Sequence, residues 1–367
     1  MANLHPMTRR RLLVQGARLA TVAGAAPVLA ACSSGPATSG SVSGGGKLSG
    51  QIVMVNYPDW IGAKEVTDFE KAYPGVTVKQ VTEASGGNAA QAAQIAQNKG
   101  SFDMALAGIN LATQLNEAGI LQAFTSSSVP NLKGIPNSFR TAYPYGIPTD
   151  QGKVGIAYRK DLLPNPPKSW AAMFKMAPSI SGKIVFSDYD VDIMAIALLS
   201  LGYSVNSTSS AQLQQAKTVL VDVKPHLKAF LDTDITKPMV QGSAVLTVCY
   251  DYDFATVSPS NPHIGWIEPA EGMPGYIEGW VPLAGSSKLA EVYAFMNYHL
   301  RPATYAGFID NTGASYLLPD ATPLITKSIR NNVALQFNAS ANVKYEELLP
   351  AATTKLRDEI WQEVQAA

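Results

Sequence analysis

Apolar positions along the chain switch repeatedly between two periods. Residues 50–57, "GQIVMVNY", form an apolar run of strand length, and "AKEVTDFEKAYPG" then sets Val66, Phe69 and Tyr73 at helical spacing before a Pro-Gly stop. "VTVKQV" alternates as a half-buried strand does, "NAAQAAQIAQNKG" is helical, "FDMALAG" is apolar and short, and "LATQLNEAGIL" is helical again. This β-α-β-α-β-α order predicts a parallel sheet covered by helices. A second set follows "YPYGIPTDQGKVGIAYRKDLL": "GKIVFSD" as strand, "DIMAIALLSLGY" and "SAQLQQAKTVLVDVKPHL" as helices, and "SAVLTVCY" as strand. "GWVPLAG" reads as a further strand, and "KLAEVYAFMNYHLRP" as a surface helix with Leu289, Val292, Tyr293 and Met296 inward. Beyond Pro302 the pattern is irregular until "TKLRDEIWQEVQ". Two α/β units with a late return of the chain to the first predict two lobes joined by crossing strands, and small ligands prefer such a gap.

A chain of 367 residues suits two cores better than one. Its 28 basic and 28 acidic residues balance, which argues against a nucleic-acid partner. The balance hides an uneven distribution, because Arg9, Arg10, Arg11 and Arg18 precede the first acidic residue, Asp59; without those four, 24 basic residues face 28 acidic ones. "TRRRLLVQGARLATVAGAAPVLAAC" has the basic start, apolar middle and small-residue end of a secretory signal over residues 1–31. Arg9-Arg10 resembles a twin-arginine export signal, and Leu29-Ala30-Ala31-Cys32 resembles a lipobox, with Cys32 as the lipidated residue. The Ser/Gly run that follows, to residue 47, suits a flexible tether. The expected product is an exported protein anchored to the membrane and facing outward. Cys249 is then the only unlipidated thiol, so no internal disulfide can form, and "AVLTVCY" makes it a core residue.

Ligands on open parallel sheets bind beyond the carboxyl ends of the strands. That rule nominates Tyr57–Trp60, Ala107–Asn110, Asp188–Asp192 and Tyr250–Asp253. Asp188, Asp190 and Asp192 alternate as in a calcium loop, but Ile193 and Leu199 stand where that loop needs Gly and Glu. The three acids then either favour a helix N-terminus or present a carboxylate to a ligand. No nucleophile elbow, metalloprotease motif or metal cluster occurs, so neither a metal nor a cofactor is expected. His226, His263 and His299 are scattered and read as structural or exposed. What recurs is a carboxylate beside rings: Tyr57, Asp59 and Trp60; Tyr250 and Asp251; Tyr276, Glu278 and Trp280. Ring faces attract cations and a desolvated carboxylate prefers an ammonium, so the combination describes a slot for an organic cation.

At these residues the chain resembles the spermidine/putrescine-type extracellular solute-binding proteins, the capture subunits of ABC importers. The likeness runs from "GQIVMVNYPDW" through "GYSVNST" and "GWIEPAEGMPGYIEGWVPL" to "YHLRPATYAGFI". It implies a two-lobed, periplasmic-binding-protein-like α/β fold that closes on its ligand, and a polyamine held between rings and acids. It also implies a membrane permease as partner and no catalysis. Ligand contacts carried over by position are Tyr57, Asp59, Trp60, Asp188, Asp192, Tyr250, Tyr276 and Glu278, with Glu278 central, and the strand-end rule adds Asp251. "IPTDQGKVG" lacks the aromatic residue often found there, and "AGINLAT" lacks the family's Ser and Tyr contacts. Opines, amino-acid derivatives, betaine-like compounds and iron chelates therefore remain open as ligands. On this reading residues 48–150 begin the first lobe, 151–257 the second, 258–310 return to the first and 311–367 complete the second, in a monomer. An exported hydrolase using Asp188 or Asp251 would need a converging second group, and no paired motif supplies one.

Overall fold

The computed structural model describes residues 47–84, 87–231, 234–336, 338 and 341–367. The expected export signal and Cys32 lie outside the described residues. Within them run β1 (Gly50–Asn56), β2 (Val76–Thr82), β3 (Met104–Gly108), β4 (Ile147–Arg159), β5 (Ile184–Ser187), β6 (Leu227–Leu231), β7 (Leu246–Tyr250), β8 (Ile264–Ile267), β9 (Met273–Pro282), β10 (Ser315–Tyr316) and β11 (Val343–Tyr345). The main path of pairing is β2-β1-β3-β9-β4-β7-β5-β6.

Each end of that path is parallel: β1 pairs with β2 and β3, and β5 with β6 and β7. The centre is antiparallel, because β4 and β9 cross between the two halves. β4 spends residues 147–153 against β9 and residues 154–158 against β7. Its first eleven positions are all buried, so one continuous strand belongs to both sheets. A first core gathers Ile52, Met54, Phe69, Leu106, Trp280 and Phe308. A second gathers Phe186, Ile193, Leu198, Leu246, Val248 and Ile360. β8 pairs with the second-core half of β4, while Leu317, Leu318, Ala321 and Ile325 pack in the first core. β11 lies on β9, and the helix Ala351–Ala366 that follows packs on the second core.

The predicted alternation appears with three differences. The helix begun at Ser210 ends at Val223, Pro225 lies in a tight 3-10 turn, and β6 starts at Leu227, where a longer helix was expected. The segment after Pro302, expected to be irregular, is helical over Pro302–Thr312, with Pro302 in its first turn and Gly313 at φ 68° as its cap. Both are common helix boundary signals. The helix Leu289–His299, expected on the surface, buries Val292, Tyr293, Phe295, Met296, Tyr298 and His299 and so has no broad wet face.

Close approach of β4 and β9 depends on glycine. A methyl group added at Gly279 would sit 2.0 Å from the Ile147 carbonyl oxygen, against backbone that cannot swing away. The Gly279→Ala variant is expected to lose about 3 kcal/mol, the upper end of ordinary overpacking costs. Urea unfolding checks this: the midpoint should fall markedly, and an unchanged midpoint would show that the two strands tolerate separation.

Candidate functional site

β1 delivers the chain to a tight loop, 57–62. Asp59 adopts a left-handed φ of 59°, a conformation that aspartate tolerates better than most residues, and its side chain is exposed. The loop is tied down from behind. Asn311 Nδ2 donates to the carbonyls of Asp59 (3.1 Å) and Ile61 (2.8 Å), and Asn56 Nδ2 donates to that of Trp60 (3.0 Å). Glu65 accepts the Gly62 N–H at 3.1 Å and lies 2.8 Å from Nδ1 of the fully buried His299. The Trp60 ring stands edge-on to Phe308, and its indole N–H donates to Asp150 Oδ1 at 3.4 Å.

The next layer is the centre of the sheet, at the carboxyl end of β3. β3 ends at Gly108, which pairs with Glu278, and Glu278 in turn pairs with Asp150 of β4. Glu278 is 3% exposed and Asp150 0%. Thr149 Oγ1 donates to Asp150 Oδ1 at 2.9 Å and lies 3.2 Å from the Glu278 carbonyl. Trp280, expected to wall Glu278 on one side, is instead a core residue, 1% exposed and edge-on to Phe295. The reason is register: Trp280 pairs with Leu106, two positions deeper in β3 than Gly108.

On the second core the rings converge. Tyr250, at the end of β7, stacks on Tyr252 (5.1 Å between centroids, planes within 8°) and contacts Tyr276 at 5.9 Å and Tyr189 at 6.4 Å. Tyr276 lies over Gly152, where an added methyl would come within 2.3 Å of the ring. Asp192, 1% exposed in the first turn of the helix Asp190–Ser200, is close enough that its charge joins burial in holding the Tyr250 phenol well above its ordinary range. Glu346, just after β11, is half-buried with its Oε1 enclosed. Burial and the Asp192 charge push its carboxyl well up, and Arg357 partly opposes them. Arg357 is held by the carbonyls of Val205 and Ser207. Asp188 points elsewhere, accepting from Gln365 of the C-terminal helix at 3.2 Å.

Asp251 occupies the crossing. It is fully buried and accepts Ser315 Oγ at 2.6 Å and the Tyr252 N–H at 2.9 Å. Ser315 belongs to β10 on the first-core half of β4, so this bond links the two halves. Lys153, 2% exposed, lies beside Asp251 and pairs with Glu268 at 2.6 Å. Burial raises the Asp251 carboxyl to about 7 despite the opposing Lys153 charge and the Ser315 bond.

Tyr57, Trp60 and Glu278 thus sit on the first half, with Tyr250, Tyr276 and Asp192 on the second. Asp59 contributes exposed surface, Asp188 faces the C-terminal helix and Asp251 holds the crossing. Asp150 and Glu346 went unnoticed in the sequence, and Tyr189 entered only within the range 188–192. Asp150 lies in a run without aromatic residues, and Glu346 in a stretch with no periodic signal. A surface recess of about 390 Å³ lined by Trp266, Glu268, Val333, Gln336 and Asn338 shares only Glu268 with the crossing. Among the described residues, no group of three or more His, Cys, Asp or Glu side chains is arranged to hold a metal, and no helix is long and apolar enough to cross a membrane.

A family model for bacterial extracellular solute-binding proteins matches residues 64–336. The putrescine/agmatine-binding protein of Pseudomonas aeruginosa is 24% identical over 338 residues, covering 86% of this chain and 91% of that one. Among solved structures, the spermidine/putrescine ABC transporter substrate-binding protein PotD of Streptococcus pneumoniae has a TM-score of 0.76 at 20% identity, over 87% of this chain and 99% of that one. The TpPotD lipoprotein of Treponema pallidum has a TM-score of 0.69 at 23% identity, over 86% and 99%. The shared fold is the two-lobed one of these proteins.

The Asp251 environment has a consequence for stability. The folded protein holds this proton up to about pH 7, whereas the unfolded chain releases it near 3.8. The stabilisation it brings is complete below about pH 4 and is lost as pH rises through about 7. Melting temperatures at pH 5 and pH 8 should therefore fall less for Asp251→Asn than for the parent protein. Equal falls would show that Asp251 is not protonated in the folded state at pH 5.

Proposed function

The chain belongs to the bacterial extracellular solute-binding proteins, and from that premise we propose that it captures a polyamine of the putrescine/spermidine type and delivers it to an ABC permease. The observation that carries this reading is the placing of Glu278. It is buried within β9, between β3 and β4, two residues from Tyr276, whose ring joins the cluster around Tyr250 on the other half. A carboxylate removed from water strongly favours a cationic partner, and ring faces suit both the ammonium and its methylene chain. The names of the putrescine/agmatine-binding protein and of PotD support the same ligand class.

In this mechanism Tyr57, Trp60 and Glu278 meet one end of the ligand, and Tyr250, Tyr276 and Asp192 the other. A ligand touching both halves favours the closed arrangement by the contacts it makes only there. The permease then reads the closed shape. No bond is made or broken. In this proposal the first lobe takes residues 48–153 and 277–329, and the second takes 154–276 and the C-terminal helix, a division supported by the two cores. Export by the twin-arginine signal and lipid attachment at Cys32 complete the proposal, supported by the order of the two motifs and by the lipoprotein described in Treponema pallidum. The protein acts as an outward-facing monomer held by that lipid.

Calorimetry with putrescine, agmatine and spermidine tests the reading, and Glu278→Gln should weaken the bound amine by about 2 to 5 kcal/mol, the scale for removing one partner of a buried charge pair. Undiminished affinity in that variant would remove Glu278 from the site. A parent protein that binds opines, betaine or an iron chelate, and no amine, would replace the ligand class while keeping the transport role.

A further inference from the structure

We infer that Asn311 is a positioning residue for the ligand loop, and that its helix, Pro302–Thr312, sets the Trp60 ring against β4 before a ligand arrives. The inference rests on the amine-binding reading above, in which Trp60 meets the ligand, and adds a residue that acts through the loop. The loop holds an unfavourable conformation at Asp59, whose φ is 59°. A left-handed residue other than glycine persists only where its surroundings over-determine it. Within the loop a turn bond runs from the Trp60 N–H to the Tyr57 carbonyl at 3.3 Å. Further restraint comes from a residue 252 positions away from Asp59. A side-chain amide has two N–H donors, and Asn311 reaches the carbonyls on either side of Trp60, that of Asp59 at 3.1 Å and that of Ile61 at 2.8 Å.

The same helix makes two more contacts at a spacing of three residues. The Phe308 ring stands at 85° to that of Trp60, with 6.2 Å between centroids. Tyr305 donates its hydroxyl to the carbonyl of Thr149 on β4 and accepts the Leu317 N–H at 2.8 Å. One helix thus touches the ligand loop and β4 together, and the Trp60 indole meets Asp150 beside Thr149. Without the Asn311 bonds, residue 59 is released toward the right-handed region and Trp60 leaves this alignment. A loop already aligned has less freedom to lose on binding, so the brace raises affinity without touching the ligand.

Titration calorimetry with putrescine tests this in the intact protein. Asn311→Leu keeps a side chain of similar shape but removes both donors, and should lose about 10-fold in putrescine affinity, the scale of one or two net hydrogen bonds. Asn311 is exposed, so the melting temperature of this variant should stay near the parent's. Asn311→Gln keeps the amide and should lose less. Asp310→Ala breaks bonds from the same helix end to Thr326 (2.9 and 3.0 Å) that do not involve the loop, and should retain the affinity. The deciding readout is a double-mutant cycle: in a Trp60→Ala background, Asn311→Leu should cost less than about 3-fold, because the ring it aligns is gone. A purely structural role would leave the two losses additive. If Asn311→Leu does not fold, Asn311→Ser takes its place with the same outcomes. Unchanged affinity in that variant, an equal loss in Asp310→Ala, or additivity in the cycle overturns the inference and leaves the amine-binding reading standing. Failure of the parent to bind putrescine, agmatine or spermidine overturns both.

Discussion

The pairing of β4 with β9 is the constraint on which the remainder of the structure depends. Gly146, Gly275 and Gly279 each leave space that backbone of the neighbouring strand fills, so the two strands run closer than side chains would allow. That contact joins the two sheets, sets Glu278 between Gly108 and Asp150, and brings Tyr276 over Gly152. A slip of one residue would turn every one of these side chains to the opposite face. The site and the connection between the halves are therefore consequences of one register.

Burial explains what such a register costs. Asp150 and Glu278 pair across β4 and β9 with both side chains held out of water, and a carboxylate out of water is costly unless hydrogen bonds or charges compensate it. The same reasoning applies to Asp192 and Glu346 on the second half, where burial and mutual repulsion raise the Glu346 carboxyl. Asp251 sits at the crossing, where Ser315 and Lys153 are its partners.

Much of this was legible in the sequence because it is local. Strand-length apolar runs and helical spacing gave the two α/β units, the rule that ligands gather at strand ends nominated Tyr57, Trp60, Asp192 and Tyr250, and the recurrence of carboxylates beside rings nominated Glu278. What escaped depends on contacts distant along the chain. Asp150 gains meaning only from Glu278, 128 positions away, through a ladder no periodicity reveals. Glu346 matters because β11 lies on β9 and carries it toward Asp192. Trp280 misled for the reverse reason: proximity in sequence to Glu278 suggested a shared wall, while register drew it into the first core. β6 and the helix after Pro302 were missed although Pro225, Pro302 and Gly313 mark their limits.

The central claim is that a cation seated against β4 and β9 holds the two halves together. A crystal structure of the complex with putrescine tests it most directly. The account predicts one ammonium within about 3 Å of the Glu278 carboxylate and the chain running toward Tyr250. A diamine bound elsewhere, with Glu278 left facing only protein, would contradict it.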